Sequence, residues 1–376
     1  MGTKLEKIII IGSGILGSST AYELVKRGAA VTVIDRNDPG SATKAAAGII
    51  CPWLSQRRNQ DWYKLVRNGA RHYKTLIPEL ESLGESETGY RQVGAISLFA
   101  DEAKLEKAFE RAFLRREQAP EIGDIVKLTE AETKQYYPPI AEGFQSIYIS
   151  GAARVDGRQL QQALIRSAKH YGALFLEGSA ALHKDINGAI QVLCNEQFYE
   201  ADKIILTTGA WPPEFGSLNI RLNVRGQKAQ IVHMNPFNEN SSNWPVVIPP
   251  GDQYLLSLDD GRVIAGATHQ DEDVFQPAVT IGGVQEVLSK ALNAAPGLEN
   301  AELIEVRTGV RPFTPGFLPI IGQLPEHPSI LIANGLGASG LTAGPYLGKL
   351  LAQLTIGEQA DLDLSPYAAG QAIEYL

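Results

Sequence analysis

The sequence predicts an α/β protein of about two domains. The chain has 376 residues, and one domain holds roughly 100–200 residues. Strand and helix patterns alternate near both ends of the chain, where a glycine-rich loop joins each strand to the next helix. Residues 221–307, between these regions, are mostly β in pattern. These three observations together favour an α/β fold.

The N-terminal segment predicts a strand, a tight turn, a helix and a second strand. Ile8–Ile11 is a run of isoleucines, which suits a buried strand. Gly28 can adopt the left-handed backbone conformation in which helices often end, and Val31–Ile34 then forms a strand. Between them, small and apolar residues recur at the spacing of one helix face, at Gly17, Ala21, Leu24 and Val25. The segment is therefore a compact βαβ unit.

Helix signals continue through the middle of the chain. Asp101, Thr129 and Asp156 are predicted helix N-caps, because their side-chain oxygens can accept hydrogen bonds from free backbone N–H groups. Thr129 also forms a capping-box pattern with Glu132, and the helix that it opens should end before Pro138.

The later part of the chain predicts a hairpin, several strands and two helices. Asn187 and Gly188 supply the positive φ that a tight hairpin needs. One helix is expected around Val284–Leu292, and another over Pro345–Leu354, with its proline in the first turn, where the missing N–H costs nothing. The predicted strands are Val93–Phe99, Ala180–His183, Ala189–Cys194, Lys203–Thr207, Ala229–His233, Gln253–Leu258, Arg262–Ala267 and Ile330–Ala333.

Composition argues against several classes of protein. The chain carries 34 Lys and Arg against 42 Asp and Glu, so its formal charge is −8 and it lacks the positive field that nucleic-acid binding requires. Its cysteines, Cys51 and Cys194, are too few for a disulfide framework or a structural zinc site. We therefore expect no metal and a cytoplasmic location. Ile8–Ile11 is too short for a signal peptide or a membrane span, so no transmembrane segment is expected.

The strongest chemical signal is the loop Gly12-Ser-Gly14-Ile-Leu-Gly17, which follows a strand and opens a helix. Gly12 permits a tight turn, Gly14 lets the backbone approach a pyrophosphate, and Gly17 allows the helix to pack close to the strand. Asp35, at the end of the next strand, can accept hydrogen bonds from a ribose diol and disfavours a 2′-phosphate. The pattern indicates a site for FAD or NAD rather than NADP.

A second segment, Gly40–Ile50, is rich in alanine and contains two hydroxyl side chains. Its hydroxyls and backbone amides could reach the phosphate oxygens of the same ligand. Equally, the segment could be a helix start made of small residues that packs close to the sheet. The residues themselves favour neither interpretation.

Together with these two segments, five later motifs occur in an order that resembles the D-amino-acid oxidase superfamily: Thr207–Trp211, Val224–Gln227, Gly309–Pro312, Leu318–Gly322 and Asn334–Thr342. The sequence is most similar to the glycine oxidase and D-amino-acid dehydrogenase branch. The resemblance implies an FAD enzyme that oxidises a C–N bond. FAD should be non-covalent, because residues 307–321 lack the cysteine to which some sarcosine oxidase relatives attach their flavin.

The resemblance also implies a division of the chain into two domains. A Rossmann-like FAD-binding domain would comprise residues 1–85, 145–220 and 307–376. A mixed β-sheet substrate-binding domain would comprise residues 86–144 and 221–306 and would cover the isoalloxazine ring.

The residues expected to bind FAD follow from the same motifs. The N-terminus of the last helix would face the flavin C2 carbonyl, where negative charge accumulates on reduction and a helix N-terminus is stabilising. The implied residues are Gly12, Gly14, Ile15, Leu16 and Gly17 at the pyrophosphate, Asp35, Arg36 and Ala180 at the adenosine, Ala42, Thr43, Ala47, Gly48 and Ile49 along the phosphates and flavin, Gly209, and Leu336, Gly337, Ala338, Ser339, Gly340, Leu341 and Thr342 at the flavin carbonyl.

Two residues are expected on the substrate side. Arg311 resembles the family arginine that binds the substrate carboxylate, and guanidinium geometry suits bidentate pairing with that group. The alternative is an ion pair with an acid such as Glu305. Tyr254 matches a pocket tyrosine that fixes the same carboxylate or shields the site, although an aromatic strand residue is also commonly core. Ala338 stands where glycine oxidases of this type carry a second arginine, so the pocket would admit a larger side chain or a secondary amine such as sarcosine or proline.

Three further residues have no assigned role. Arg57 and Arg58 would replace the missing positive charge or form a solvated face, and His269 would face the pocket or be structural. No His/carboxylate dyad stands out, and no acid or base catalyst is assigned. Catalysis would rest on positioning and on stabilisation of the reduced flavin.

The sequence therefore predicts FAD-dependent oxidative deamination of a small amino acid or secondary amine, of the D-amino acid, glycine or sarcosine type. Hydride transfer to flavin N5 would give an imino acid that water hydrolyses. Dioxygen or another acceptor would reoxidise the flavin, and the protein could form a homo-oligomer. The alternatives are a proline or hydroxyproline type of dehydrogenase that passes electrons to a quinone, a non-catalytic FAD-binding subunit and an NAD-dependent dehydrogenase.

Overall fold

The computed structural model describes residues 5–186, 188–211, 218, 220–237, 241–271 and 276–376, and it has the mixed α/β fold that the sequence predicts. Asn187, in the predicted hairpin turn, lies outside the described residues. The helices are α1 (Ile15–Lys26), α2 (Ala42–Ala45), α3 (Gln60–Ser82), α4 (Glu102–Arg116), α5 (Glu130–Tyr136), α6 (Gly157–His170), α7 (Ile281–Ala294) and α8 (Gly340–Thr355).

The strands alternate with these helices in the first half of the chain and dominate its second half. They are β1 (Lys7–Ile11), β2 (Ala30–Asp35), β3 (Ile49–Ile50), β4 (Arg91–Gln92), β5 (Ala95–Phe99), β6 (Ile125–Leu128), β7 (Gln145–Ile149), β8 (Ala153–Arg154), β9 (Leu174–Glu177), β10 (Ala180–Lys184), β11 (Ile190–Cys194), β12 (Gln197–Tyr199), β13 (Lys203–Leu206), β14 (Ile220–Leu222), β15 (Arg225–Asn235), β16 (Val246–Ile248), β17 (Tyr254–Ser257), β18 (Val263–Gly266), β19 (Gln270–Asp271), β20 (Glu302–Phe313), β21 (Ile320–Leu324), β22 (His327–Asn334) and β23 (Ile373–Tyr375).

One sheet of the described residues has six strands in the order β21-β22-β13-β1-β2-β9. All of them run parallel except β21, which pairs antiparallel with β22. Helices α6 and α8 both pack against α1. The carboxyl ends of β1, β2, β13 and β22 meet at one edge, which is where open α/β sheets bind ligands.

A second sheet of the described residues has nine strands and is mixed. Its order is β19-β15-β18-β17-β16-β5-β7-β6, and β20 pairs with β15 along almost its whole length. β20 spans Glu302–Phe313 and crosses the domain limit expected at residue 307, and β7, which begins at Gln145, belongs to this sheet although residues 145–220 were expected in the FAD-binding domain. The two-domain division stays a prediction.

Several helix ends follow the predicted chemistry. Thr129 and Glu132 form the expected capping box at the start of α5, which ends at Tyr136, before Pro138. Asp101 and Asp156 accept hydrogen bonds from backbone N–H groups at the starts of α4 and α6. Among the described residues, no helix is long and apolar enough to cross a membrane.

The last helix differs from the prediction. It begins at Gly340, so Pro345 lies inside α8 and not in its first turn. A proline there leaves the carbonyl of Leu341 without its helical N–H partner. The hydroxyl of Tyr73, from α3, donates to that carbonyl at 2.6 Å. The early start is thus stabilised by a contact that the local sequence does not reveal.

Helix α3, with 23 residues, was not predicted. The Asn59 side chain caps it by accepting from the Trp62 backbone N–H at 2.8 Å. Its buried residues recur at helical spacing, so a signal was present in the sequence. The helix packs against α8 and carries Trp62 and Tyr73 to the C-terminal glycine loop.

Candidate active site

A cavity of about 770 Å³ lies where the carboxyl edge of the six-stranded sheet meets one face of the nine-stranded sheet. Every residue expected to bind FAD lines it except Gly17, and so do Arg311 and Tyr254. The structure therefore brings together stretches that are more than 300 residues apart in the sequence. Arg57 and Arg58 are not among its lining residues.

The first glycine loop forms the floor of the cavity at the start of α1. Gly12 has a φ of 102°, and a Cβ there would come within 2.5 Å of the Thr207 carbonyl oxygen. A Cβ on Gly17 would approach the Gly12 carbonyl oxygen to 1.9 Å, so the lack of a side chain at Gly17 allows the helix to pack against the loop. At Gly14 the nearest atom to such a Cβ is the Thr43 hydroxyl oxygen, at 3.4 Å. A pyrophosphate can therefore approach the backbone at Gly14 and the N–H groups of Leu16 and Gly17, which have no acceptor within the helix.

Asp35 lies at the end of β2, beside this loop. Its Oδ2 accepts a hydrogen bond from the Ser13 backbone N–H at 2.5 Å, and its Oδ1 accepts from the Asn37 N–H at 2.6 Å. These two bonds fix the carboxylate at the cavity wall. The Arg36 side chain is ion-paired with Asp38 at 2.8 Å.

The alanine-rich segment packs closely on its neighbours, as one of the two interpretations of the sequence expected, and contact with a phosphate stays a prediction. Its Thr43 hydroxyl oxygen accepts a hydrogen bond from the Ile15 backbone N–H at 2.9 Å, which holds α2 over the start of α1. The Ile49 carbonyl accepts from the Thr342 hydroxyl at 2.9 Å, which ties the segment to α8. The segment packs closely and lines the cavity at the same time.

The C-terminal glycine loop brings the N-terminus of α8 to the opposite side of the cavity. Asn334 anchors the loop, because its side-chain amide donates to the Gly209 carbonyl at 2.9 Å and accepts from the Gly335 N–H at 2.7 Å. Ser339 makes no side-chain cap hydrogen bond at the start of α8 and instead accepts from the Trp62 indole N–H at 3.0 Å. The first N–H groups of α8 are therefore available to a ligand that carries negative charge.

Arg311 lies on the face of the nine-stranded sheet that borders the cavity. Its Nη1 is buried and has no hydrogen-bond partner among the described residues. The alternative partner, Glu305, pairs instead with Arg307 at 2.5 Å and Arg262 at 3.3 Å. A buried guanidinium nitrogen without a partner costs free energy unless a ligand satisfies it.

Tyr254 stands beside Arg311. Its phenol lies across Gly266, the residue opposite it in β18, and a Cβ on Gly266 would come within 2.4 Å of the phenol oxygen. Burial raises the pKa of Tyr254, and the charge of Arg311 partly offsets that increase. The phenol is therefore protonated at neutral pH and can donate a hydrogen bond to a carboxylate bound at Arg311.

The structure also places together two residues that the sequence analysis did not pair. The Nδ1 atom of His269 lies 3.4 Å from Oδ2 of Asp252, and both residues line the cavity. Lys290, on α7, forms an ion pair with Asp252, and its Nζ lies 3.2 Å from Oδ1 of that carboxylate. β17 and β18 pair antiparallel with Tyr254 opposite Gly266. Asp252, just before β17, and His269, just after β18, therefore come close together. That register is the signal by which a predicted hairpin could have revealed them.

The surroundings of His269 favour its neutral form. Burial is the largest effect that lowers its pKa, and the Arg311 guanidinium lowers it further, while Asp252 raises it.

Arg57 lies elsewhere, with its guanidinium 4.7 Å from the centre of the Trp62 ring and an N–H donated to the Phe317 carbonyl. No group of three or more His, Cys, Asp or Glu residues in the described part of the chain could hold a metal ion.

Comparison with known proteins gives a consistent result. Residues 7–354 match the family model named DAO, described as FAD dependent oxidoreductase. An uncharacterized oxidoreductase of Bacillus subtilis (strain 168), YurR, is 54% identical over 371 residues, which cover 98% of this chain and 100% of that protein.

Two solved structures share the fold over nearly the whole chain. Iminodiacetate oxidase (IdaA) from Chelativorans sp. BNC1 matches with a TM-score of 0.92 and 43% identity, over 96% of this chain and 98% of that one. Glycine oxidase from Geobacillus kaustophilus matches with a TM-score of 0.85 and 24% identity, over 97% and 98% of the two chains.

Proposed function

Because the chain belongs to the DAO family of FAD-dependent oxidoreductases, which act on amino acids and amines, we propose that it oxidises the C–N bond of a small secondary amine or amino acid bearing a carboxylate. FAD is the cofactor of this family. The observation that carries the proposal is the buried Nη1 of Arg311, which has no hydrogen-bond partner among the described residues, at the wall of the cavity that the residues expected to bind FAD line.

We assign the parts of FAD to the lining residues. Gly12, Gly14, Ile15 and Leu16 would receive the pyrophosphate, with Gly17 supporting the loop from behind. The adenosine would lie at Asp35, Arg36 and Ala180, and the flavin between residues 47–49 and 336–342, with Gly209 nearby. This assignment is supported by Gly14, whose missing side chain leaves the loop backbone open to the cavity.

On the substrate side, a carboxylate paired with Arg311 and hydrogen-bonded to Tyr254 would hold the amine in one orientation. FAD, when bound, would supply the oxidant, because its flavin can take a hydride, that is two electrons and a proton, from the carbon next to the nitrogen. The amine nitrogen gives up a proton, a C=N bond forms, and water hydrolyses it to a carbonyl compound and a smaller amine. Arg311 and Tyr254 contribute positioning, which can account for a large share of such a rate enhancement.

The nature of the amine is supported by two observations. Ala338, which by the family resemblance stands where glycine oxidases carry an arginine, adds little bulk and no charge to the cavity. The iminodiacetate oxidase that is 43% identical to this chain is named for a secondary amine. We therefore favour a secondary amine of the sarcosine or iminodiacetate type over glycine or a D-amino acid.

The test is anaerobic reduction of the purified yellow protein. We expect iminodiacetate or sarcosine to bleach the flavin at lower concentration than glycine, proline or D-alanine, and dimethylamine, which lacks a carboxylate, to fail. Bleaching by dimethylamine as readily as by sarcosine would overturn the proposal, as would the absence of bleaching by every amine.

A further inference from the structure

His269 and Arg311 lie on the same face of the nine-stranded sheet, on either side of β15. Gln227 of β15 is opposite Arg311 on one side and Asp271 on the other. Side chains two positions apart along an extended strand face the same way, so His269 shares the face of Asp271 and hence of Arg311. One strand separates them and His269 is offset by two residues along the strand direction, which places their backbones roughly 12 Å apart at the usual strand spacing and rise.

Both side chains line the same cavity space. Arg311 offers its Nη1, which nothing in the described part of the chain pairs with, and the His269 side chain is 37% exposed. Asp252 faces Nδ1 of His269, so Nε2 is the nitrogen left for a ligand. Lys290 compensates the charge of Asp252, so the carboxylate can orient the imidazole without making the site strongly negative.

The charge state of His269 depends on what occupies this space. Burial lowers the pKa of His269 most. Arg311 from β20 and Lys290 from α7 lower it further, whereas Asp252 from the loop before β17 and Glu286 from α7 raise it. A carboxylate bound at Arg311 neutralises the positive charge of that side chain. A second carboxylate near Nε2 favours the imidazolium form of His269 directly. A ligand with two carboxylates therefore raises the pKa of His269 and binds with uptake of a proton.

We propose that His269 is a second anion-binding point of the substrate cavity and that the preferred substrate is a secondary amine flanked by two carboxylates, one held by Arg311 and the other by His269. This inference rests on the function proposed above. In it, His269 is a residue that determines specificity, and Asp252 and Lys290 are the residues that position it.

The experiment uses two ligands that cannot be oxidised because a thioether replaces the amine. Thiodiacetate has two carboxylates, and (methylthio)acetate has one. The holoenzyme with bound FAD is titrated with each, and the change in flavin absorbance gives Kd at about pH 6 and about pH 8, which bracket the titration of a histidine. The proteins are wild type, His269→Gln, Arg311→Ala and His327→Gln, a control because His327 lies outside the cavity lining.

We expect thiodiacetate to bind wild type about tenfold more tightly at the lower pH, because proton uptake favours binding there. His269→Gln should weaken thiodiacetate about tenfold at the lower pH and remove its pH dependence, the loss expected for one charged hydrogen bond. (Methylthio)acetate should change less than about twofold, and His327→Gln should match wild type.

Two results overturn the inference: His269→Gln weakens both ligands equally, or the Kd of thiodiacetate does not depend on pH in wild type. Failure of the proposed function gives a different pattern, in which Arg311→Ala weakens neither ligand. The flavin spectrum of each variant before titration shows that its cofactor site is intact.

Discussion

The phenol of Tyr254 lies over Gly266, the residue opposite it in the neighbouring strand, and reaches across that strand towards Arg311. The contact is possible because Gly266 has no side chain. A single missing Cβ in β18 thus determines where a substrate-side residue of β17 points.

Substitution Gly266→Ala should disturb substrate binding without removing FAD. The added Cβ would lie 2.4 Å from the phenol oxygen of Tyr254, so the ring must move away from Arg311. We expect kcat/KM for the best amine to fall about tenfold, which corresponds to about 1.4 kcal/mol. Gly282→Ala is the matched control, since a Cβ there meets no atom of the described residues within 4 Å. Equal activity of the two variants would show that the position of Tyr254 does not matter.

Two glycines of the first loop should separate cofactor binding from packing. In Gly14→Ala the new Cβ has only the Thr43 hydroxyl at 3.4 Å, so the fold should tolerate it while the pyrophosphate cannot approach. We expect FAD affinity to fall about tenfold or more, with an unchanged Tm of the FAD-free protein.

Gly17→Ala should behave differently, because its Cβ would approach the Gly12 carbonyl to 1.9 Å. The Tm of the FAD-free protein should fall together with FAD affinity. FAD titration and thermal unfolding distinguish the variants, and a Tm loss confined to Gly14→Ala would contradict this division of roles.

The pair Tyr73 and Pro345 should be energetically coupled. Tyr73→Phe leaves the buried Leu341 carbonyl without a partner and should lower the free energy of unfolding by about 1–3 kcal/mol. In that background Pro345→Ala should recover part of the loss, because an alanine N–H can donate to the same carbonyl. A denaturant double-mutant cycle measures the coupling. Strictly additive effects would mean that the tyrosine does not compensate for the proline.

The sequence was sufficient for features fixed by residues close together in the chain. The βαβ unit, Asp35 at the end of β2 and the capping box at Thr129 each depend on a few neighbouring residues. The start of α8 at Gly340 could not be predicted in this way, because it is supported by Tyr73, 268 residues away from the carbonyl that it satisfies.

The pair Asp252 and His269 was missed for a related reason. These residues are brought together by strand register, which depends on how Tyr254 and Gly266 pair and not on spacing alone. Family motifs placed Arg311 and Tyr254 in the cavity, but they did not indicate which other charges would lie beside them.

The most direct test of the account is anaerobic titration of the yellow wild-type protein and of Arg311→Ala with iminodiacetate, following the loss of flavin absorbance. The account predicts that both proteins bind FAD and that the variant needs about 100-fold more substrate for half reduction, as expected when a buried charged pair of about 2.7 kcal/mol is lost. Identical titration curves for the two proteins, or a polypeptide that stays colourless after reconstitution with FAD, would contradict it.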